Sequence, residues 1–92
     1  MIYHLDFTDN AKGEIYFLKK SEPVAFNKLN NLLKELVLHP RIGTGKPELL
    51  KYGRFKGLWS RRITSKHRLI YSIKDTEITV FVLSAKGHYG NK

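Results

Sequence analysis

The sequence predicts an α+β domain in which a hairpin of two helices packs on one face of an antiparallel sheet. Helical periodicity is confined to residues 8–37, strand-like runs flank it on both sides, and short turns separate the last three runs. The predicted order of elements is therefore β-α-α-β-β-β. At 92 residues the chain has room for one modest core, and we place a single domain at residues 1–92.

The first half of the chain predicts one strand and two helices. Residues 2–7 alternate in type, as a strand does, and Thr8 with Asp9 gives a helix N-cap signal. Ser21 is the predicted N-cap of the second helix, which must end before Pro40 because proline disfavours helical backbone in the residue preceding it. Apolar residues at helical spacing mark the buried face of each helix: Ala11, Ile15 and Leu18 in the first, and Phe26, Leu29, Leu33 and Leu36 in the second.

The second half predicts a long loop and three strands. Residues 41–56 contain three glycines and a proline, and strand-like runs follow at 58–63, 67–73 and 78–83. The short turns between these runs predict an antiparallel meander. If the helices cover the apolar face of the meander, the other face can present Arg61 or Arg62, Arg68 and the C-terminal residues.

Basic residues are concentrated in one segment that encloses a single acid. Residues 41–68 hold nine Lys or Arg residues and only Glu48 among the acids, which is eight of the nine units of formal net charge. Like charges packed together repel one another, so a polyanionic partner, RNA or DNA, is the natural explanation. A carboxylate held beside a polyanion is poorly explained by binding alone and suggests a base that removes a proton from bound nucleic acid.

Composition excludes several classes of protein. There is no cysteine, so disulfides, thiolate nucleophiles and cysteine-based zinc sites are ruled out. The four histidines form no metal-ligand spacing, and we predict neither a metal site nor a cofactor. The N-terminal residues lack the features of a signal peptide and no run is apolar enough to span a membrane, so we expect a cytoplasmic protein.

Cleavage of RNA next to a 2′-hydroxyl needs a base, a cation and an acid around one phosphate. The chain offers Glu48 as base, Arg68 as cation and His88 as acid, with Tyr89 beside it. Spacing alone does not show that these residues converge. Each also has an ordinary alternative: a loop acid paired with lysine, a cross-strand surface cation and a solvated tail histidine, respectively.

Two long motifs make the sequence recognisable. Residues 45–51, Gly-Lys-Pro-Glu-Leu-Leu-Lys, precede residues 57–71, which include Trp-Ser-Arg-Arg-Ile-Thr and His-Arg-Leu-Ile-Tyr. Together with His88-Tyr89 they resemble the YoeB/Txe toxins of the RelE superfamily, which belong to bacterial toxin–antitoxin systems. The resemblance covers the whole chain in length and element order and is strongest over residues 45–71. One departure is that residues 90–92 continue beyond the His-Tyr pair.

The resemblance implies an mRNA interferase, an endoribonuclease that cleaves mRNA in the ribosomal A site without a metal. Glu48 matches the family's general base, Arg68 its transition-state arginine and His88 its general acid. The remaining residues that we expect to contact RNA are Lys46, Lys51, Arg61, Arg62, Lys66 and Tyr89. The implied partners are mRNA, the ribosome and an acidic antitoxin of the YefM/Axe type, and members of the family often form homodimers.

Two other functions stay open at this point. A non-catalytic module that binds RNA or the ribosome would carry the same basic segment, with Glu48 and His88 incidental. A relative that inhibits a DNA topoisomerase, as ParE-type toxins do, would share the fold, but that class generally lacks the glutamate, arginine and histidine together.

Overall fold

The computed structural model of the chain describes residues 2–87. A five-stranded sheet and two helices form the fold, and two short 3-10 helices lie at Gly53–Phe55 and Asp75–Glu77. Along the chain the main elements are β1 (His4–Phe7), α1 (Asp9–Ser21), α2 (Pro23–Leu36), β2 (Glu48–Leu49), β3 (Trp59–Arg62), β4 (Arg68–Lys74) and β5 (Thr79–Ser84). The α+β class and the helical hairpin are confirmed.

The sheet is mixed, whereas the sequence predicted an antiparallel one. Its strand order is β1-β5-β4-β3-β2, and β1 lies parallel to β5 while all other neighbours are antiparallel. β2 to β5 alternate in direction, which leaves β5 parallel to β1 and β2 antiparallel to it. The edge strand β2 is the second difference, since it lies within the predicted loop at residues 41–56.

The two helices are joined at Glu22 without a turn. Thr8 caps α1 as predicted, because its hydroxyl oxygen accepts a hydrogen bond of 3.0 Å from the backbone N–H of Ala11. Ser21 is the last residue of α1 and not the N-cap of α2, which was the prediction; Glu22 has that position. The N–H of Glu22 donates to the carbonyl of Leu18, and its own carbonyl accepts from Phe26. Glu22 therefore belongs to the hydrogen bonding of both helices.

The core lies between the helices and one face of the sheet. Its buried residues from the helices include Leu18, Leu29 and Leu36, and those from the sheet include Leu69, Tyr71, Val80 and Val82. Burial of this apolar surface is the main force that holds the helices on the sheet, at about 25 cal/mol per Å². No helix in the described part of the chain is long and apolar enough to cross a membrane.

Candidate functional site

Four charged side chains meet on the sheet face that the helices leave open. A small pocket of about 70 Å³ lies at the end of the sheet formed by β2, β3 and the start of β4. Its lining is Gly45, Lys46, Glu48, Ser60, Arg62 and Arg68. Four of the predicted site residues thus line one pocket: Lys46, Glu48, Arg62 and Arg68.

Strand register explains why these residues share a face. Glu48 of β2 is paired with Ser60 of β3, and Arg62 of β3 is paired with Arg68 of β4. Side chains alternate between the two faces of a strand, so Ser60 and Arg62 project to the same side, and their cross-strand partners join them. The alternate residues of β3 and β4 face the helices.

The backbone before Glu48 is fixed by close packing against β3. The N–H of Arg62 donates to the carbonyl of Gly45 at 2.7 Å, which holds the loop against the strand. Gly45 has φ +84°, and a Cβ there would lie 2.7 Å from the carbonyl oxygen of Arg62. Only glycine allows this approach. Lys46 follows with φ +52°, also in the left-handed region, and the chain then enters β2 at Glu48.

The two arginines of the pocket differ in exposure. Arg62 is exposed, while Arg68 is half-buried and donates from Nη1 to the carbonyl of Thr64 at 3.3 Å. The backbone N–H of Arg68 also donates to the carbonyl of Gly87 at 2.9 Å. Arg68 is therefore the more restrained of the two guanidinium groups, whereas Arg62 can follow a ligand.

Arg61 lies on the opposite face, contrary to the prediction that it contacts RNA. It is completely buried, and its five N–H groups have five acceptors: the Tyr71 hydroxyl, the Glu35 carboxylate and the carbonyls of Thr44, His39 and Ile42. A phosphate cannot reach a guanidinium enclosed in this way. The sequence held a signal for this outcome, because Arg61 shares its strand face with Trp59 and Ile63, both apolar.

Arg61 and Glu35 tie the loop before the pocket to α2. The Glu35 carboxylate accepts from Arg61 at 3.0 Å and from the backbone N–H of Thr44 at 2.8 Å. Burial opposes ionisation of Glu35, but the hydrogen bonds from Thr44 and Arg61 prevail and lower its pKa. Tyr71 adds a hydrogen bond of 2.7 Å from its hydroxyl to the carbonyl of Pro40, and burial raises the pKa of this hydroxyl.

His67 joins the helical junction to the end of the described chain. Its Nε2 lies 3.0 Å from a Glu22 carboxylate oxygen, and its Nδ1 accepts from the backbone N–H of Gly87 at 2.9 Å. The hydrogen bond with His67 is the largest influence on Glu22 and lowers the pKa of that carboxyl. From the sequence, His67 is interpreted as either a structural or a surface residue, and the structure shows it buried. Its partners are 45 and 20 residues away and could not be predicted from the sequence.

The other predicted residues lie outside this pocket. Lys51 lines a wider cleft of about 720 Å³ at the outer edge of β2, together with Arg41, Tyr52 and Trp59, and Glu48 borders both cavities. Lys66 is exposed and forms an ion pair of 3.5 Å with Glu22. His88 and Tyr89 lie outside the described residues.

Residues 2–87 contain no group of three or more His, Asp or Glu side chains that could hold a metal ion. The chemistry that the pocket itself can supply is a carboxylate that accepts protons and cations that stabilise an oxyanion.

Comparisons with known proteins identify the family of the chain. Residues 7–89 match the family described as YoeB-like toxin of bacterial type II toxin–antitoxin system. The Toxin YoeB of Synechocystis is 35% identical over 83 residues, which is 90% of this chain and 93% of that protein.

Solved structures of relatives share the fold. A YoeB/ParE toxin from Agrobacterium tumefaciens has a TM-score of 0.86 at 31% identity, covering 94% of this chain and 99% of its own. The YoeB of Staphylococcus aureus has been solved in complex with YefM and as a dimer. These structures give TM-scores of 0.80 and 0.82 at 30% and 31% identity, and each covers 97% of this chain and all of that one.

An α+β fold with a cationic, carboxylate-bearing pocket on its open sheet face defines this chain as a toxin of the RelE superfamily. The match over almost its whole length makes the assignment more specific: the chain belongs to the YoeB-like toxins of bacterial type II toxin–antitoxin systems.

Proposed function

We propose that this protein is a ribosome-dependent mRNA endoribonuclease that cuts the message in the ribosomal A site. The observation that carries this proposal is the pocket in which Glu48, Arg62 and Arg68 come together on the open face of the sheet. The three side chains are brought there from separate strands, and two of them are cations that surround one carboxylate. The reaction takes place in the cytoplasm, where translating ribosomes are found.

Glu48 acts as the general base. Its carboxylate takes the proton from a 2′-hydroxyl, which then attacks the adjacent phosphorus. Arg68 stabilises the negative charge that builds up on the non-bridging oxygens, and its restraint by Thr64 and Gly87 keeps it in place before the substrate arrives.

His88 acts as the general acid that protonates the departing 5′-oxygen, and Tyr89 contacts the substrate beside it. The products are a cyclic phosphate or 3′-phosphate on one fragment and a 5′-hydroxyl on the other. This sequence of steps moves protons only between side chains and RNA and requires no metal ion or cofactor.

RNA is held by the basic residues around the pocket. Lys46 and Arg62 contact phosphates next to the cleaved bond, because both line the pocket itself. Lys51 binds farther along the strand, where it lines the adjoining cleft with Tyr52 and Trp59, whose rings can stack on bases. Lys66 adds long-range attraction from the β3–β4 turn.

An acidic antitoxin of the YefM type neutralises the enzyme. The S. aureus relative has been solved with YefM, and the basic face of this chain is the surface that an acidic segment would cover. A disordered segment that folds there would block the pocket and displace His88 and Tyr89. The same relative forms a dimer, and we expect homodimers of this chain too.

New 5′ ends on a translated message test the proposal directly. In a cell-free translation reaction, the protein should produce ends at codon-spaced positions only when ribosomes are present. Glu48→Gln should reduce cleavage by at least about 100-fold, the usual contribution of a general base. Glu77→Gln is the matched control, since Glu77 is an exposed carboxylate at the far end of β4, and it should cleave as the parent does.

The second candidate is a module that blocks translation by binding without cleavage. It is favoured by the concentration of positive charge and would need no base. Translation that stops without new 5′ ends, together with undiminished inhibition by Glu48→Gln, would establish this function and refute the catalytic assignments.

A further inference from the structure

We propose that His67 is a positioning residue for the reaction, which fixes the backbone of Gly87, the residue before the proposed acid His88 in the sequence. This inference rests on the proposed function. His67 is not among the residues that line the pocket, although it is bonded to Arg68, which is. It acts through Gly87, which directly precedes His88 in the sequence.

Gly87 is held by both of its backbone polar groups. Its N–H donates to Nδ1 of His67 at 2.9 Å, and its carbonyl accepts from the N–H of Arg68, also at 2.9 Å. The two residues that hold it are neighbours, and the second of them lines the catalytic pocket. The path of the chain after β5 is therefore set directly beside Arg68.

The hydrogen-bond partners of His67 specify one form of its ring. The N–H of Gly87 is only a donor, so Nδ1 must be the unprotonated acceptor. Glu22 offers a carboxylate, which is only an acceptor, so Nε2 carries the proton. A neutral imidazole with its proton on Nε2 satisfies both partners, and the ring is almost completely buried.

Glu22 provides a rigid base for this arrangement. Its backbone is hydrogen bonded within both α1 and α2, and its second carboxylate oxygen lies 3.5 Å from Lys66. A series of hydrogen bonds thus connects Glu22 at the helical junction to the imidazole of His67 and from there to Gly87. Misplacement of a reacting group by about 1 Å can cost on the order of 100-fold in rate, so such a connection matters for an acid near the end of a chain.

Two variants divide the functions of the ring. His67→Asn keeps an acceptor near the position of Nδ1 and loses the contact with Glu22, whereas His67→Gln keeps a donor near Nε2 and loses the contact with Gly87. We expect His67→Gln to lower kcat for cleavage on ribosomes by roughly 10- to 100-fold, with KM changed less than about twofold. His67→Asn should recover most of the rate.

The same change in a His88→Ala background shows whether His67 acts through the acid. If it does, His67→Gln should slow the His88→Ala protein little further, because the positioned group is already absent. If kcat falls equally in His67→Asn and His67→Gln, and in proportion to the loss of stability of each variant, then His67 has only a packing role and the proposal is wrong. A full, multiplicative loss in the double variant would also overturn it.

Amide exchange and ¹⁵N shifts give readouts that need no cleavage. The Nδ1 of His67 should show the shift of an unprotonated nitrogen, and the Gly87 amide should exchange at least about tenfold more slowly in the parent and in His67→Asn than in His67→Gln. Fast exchange in the parent would overturn the anchor itself. A parent protein that cuts no message would refute the proposed function, whereas cleavage unaffected by His67→Gln would refute only the positioning role.

Discussion

Arg61 places a full positive charge in the interior, and every one of its N–H groups has an acceptor there. A buried charge is tolerated only when it is paired and fully hydrogen bonded, because its loss of hydration is otherwise too costly. Three of the acceptors are carbonyls in the segment between α2 and β2. The cation therefore organises a stretch of backbone that has little regular hydrogen bonding of its own.

The same substitution should affect the stability of the protein very differently at the two adjacent arginines of β3. Arg61→Met should lower the free energy of unfolding by about 3 kcal/mol, because Glu35 loses its cationic partner and the carbonyls of the 39–44 segment lose their donors. Arg62→Met should change it by less than about 0.5 kcal/mol, since Arg62 is exposed. Urea denaturation of both variants measures the difference. Equal losses of unfolding free energy would contradict the finding that Arg61 is buried while Arg62 is exposed.

The lowered pKa values of Glu22 and Glu35 link stability to pH. Both lie below the ordinary value of 4.5, so each carboxylate stabilises the folded chain above that value, and this contribution is lost as the pH falls through the folded pKa. The stability difference between the parent and Glu35→Gln should be constant near neutral pH and shrink below about pH 4.5. Urea midpoints of the parent and of Glu35→Gln at a series of pH values test this prediction. A stability difference between the two proteins that grows as the pH falls would contradict it.

Among the elements, the loop before β2 does most to place Glu48, the proposed catalytic carboxylate. It is held by Arg62 at Gly45, by Glu35 at Thr44 and by Tyr71 at Pro40. Function at this loop therefore depends on residues of α2, β3 and β4 that never contact RNA.

A comparison of Gly45 with Gly53 can separate the cost of steric crowding by an added Cβ from the cost of a left-handed backbone conformation. Gly45 has φ +84° and Gly53 has φ +75°, but a Cβ meets the Arg62 carbonyl only at Gly45. Gly53→Ala should cost about 1 kcal/mol of stability for the left-handed backbone. Gly45→Ala should cost about 1 kcal/mol more and also slow cleavage, because the loop must move away from β3 and take Glu48 with it. Thermal unfolding and single-turnover cleavage measure the two effects, and equal behaviour of the variants would argue against the close packing.

The elements whose patterns are local could be predicted from the sequence. The N-cap at Thr8 depends on neighbours within a few residues and is confirmed. The apolar stripes of the helices are confirmed in part: Leu18, Leu29 and Leu36 are buried as predicted, whereas Phe26 and Leu33 are half-buried and Ala25 and Leu32 are buried instead. The parallel pairing of β1 with β5 could not be predicted, because the two strands are far apart in sequence and no local pattern records their relative direction. Two residues are too few for β2 to show any alternation.

The proposed catalytic residues could be predicted mainly from the motifs that contain them. The residues that hold these groups in place could not be predicted. Glu48 and Arg68 stand in long, specific motifs, and the structure brings them to one pocket. The partners of His67 and Arg61 are far away in sequence, and polar contacts of that kind leave no periodic trace. Side chains alternate between the two faces of β3, so only one of its two arginines can face the helices. The apolar neighbours of Arg61 on its strand face, Trp59 and Ile63, indicate that Arg61 is the buried one, although the prediction placed both arginines in contact with RNA.

At the scale of the whole molecule, a formal net charge of +9 predicts that the proposed RNA binding is sensitive to salt. Each phosphate contact releases counterions, so the logarithm of the binding constant falls linearly with the logarithm of salt concentration. Lys46→Ala should reduce that slope by about 0.7 for single-stranded RNA, since one contact is removed. Lys12→Ala, a cation on the exposed side of α1, should leave the slope unchanged. Filter-binding measurements between low and moderate salt give these slopes. Equal slopes for the parent and Lys46→Ala would show that Lys46 does not contact the RNA.

The parallel pair of β1 and β5 also governs when a newly made chain can become active. β1 is synthesised before its hydrogen-bonding neighbour in the sheet, Thr79–Ser84. Until that strand is made, the sheet cannot form as described and the core beneath the helices is open on one side. We therefore expect a chain whose synthesis stops before Ser84 to lack the complete sheet and the activity that depends on it.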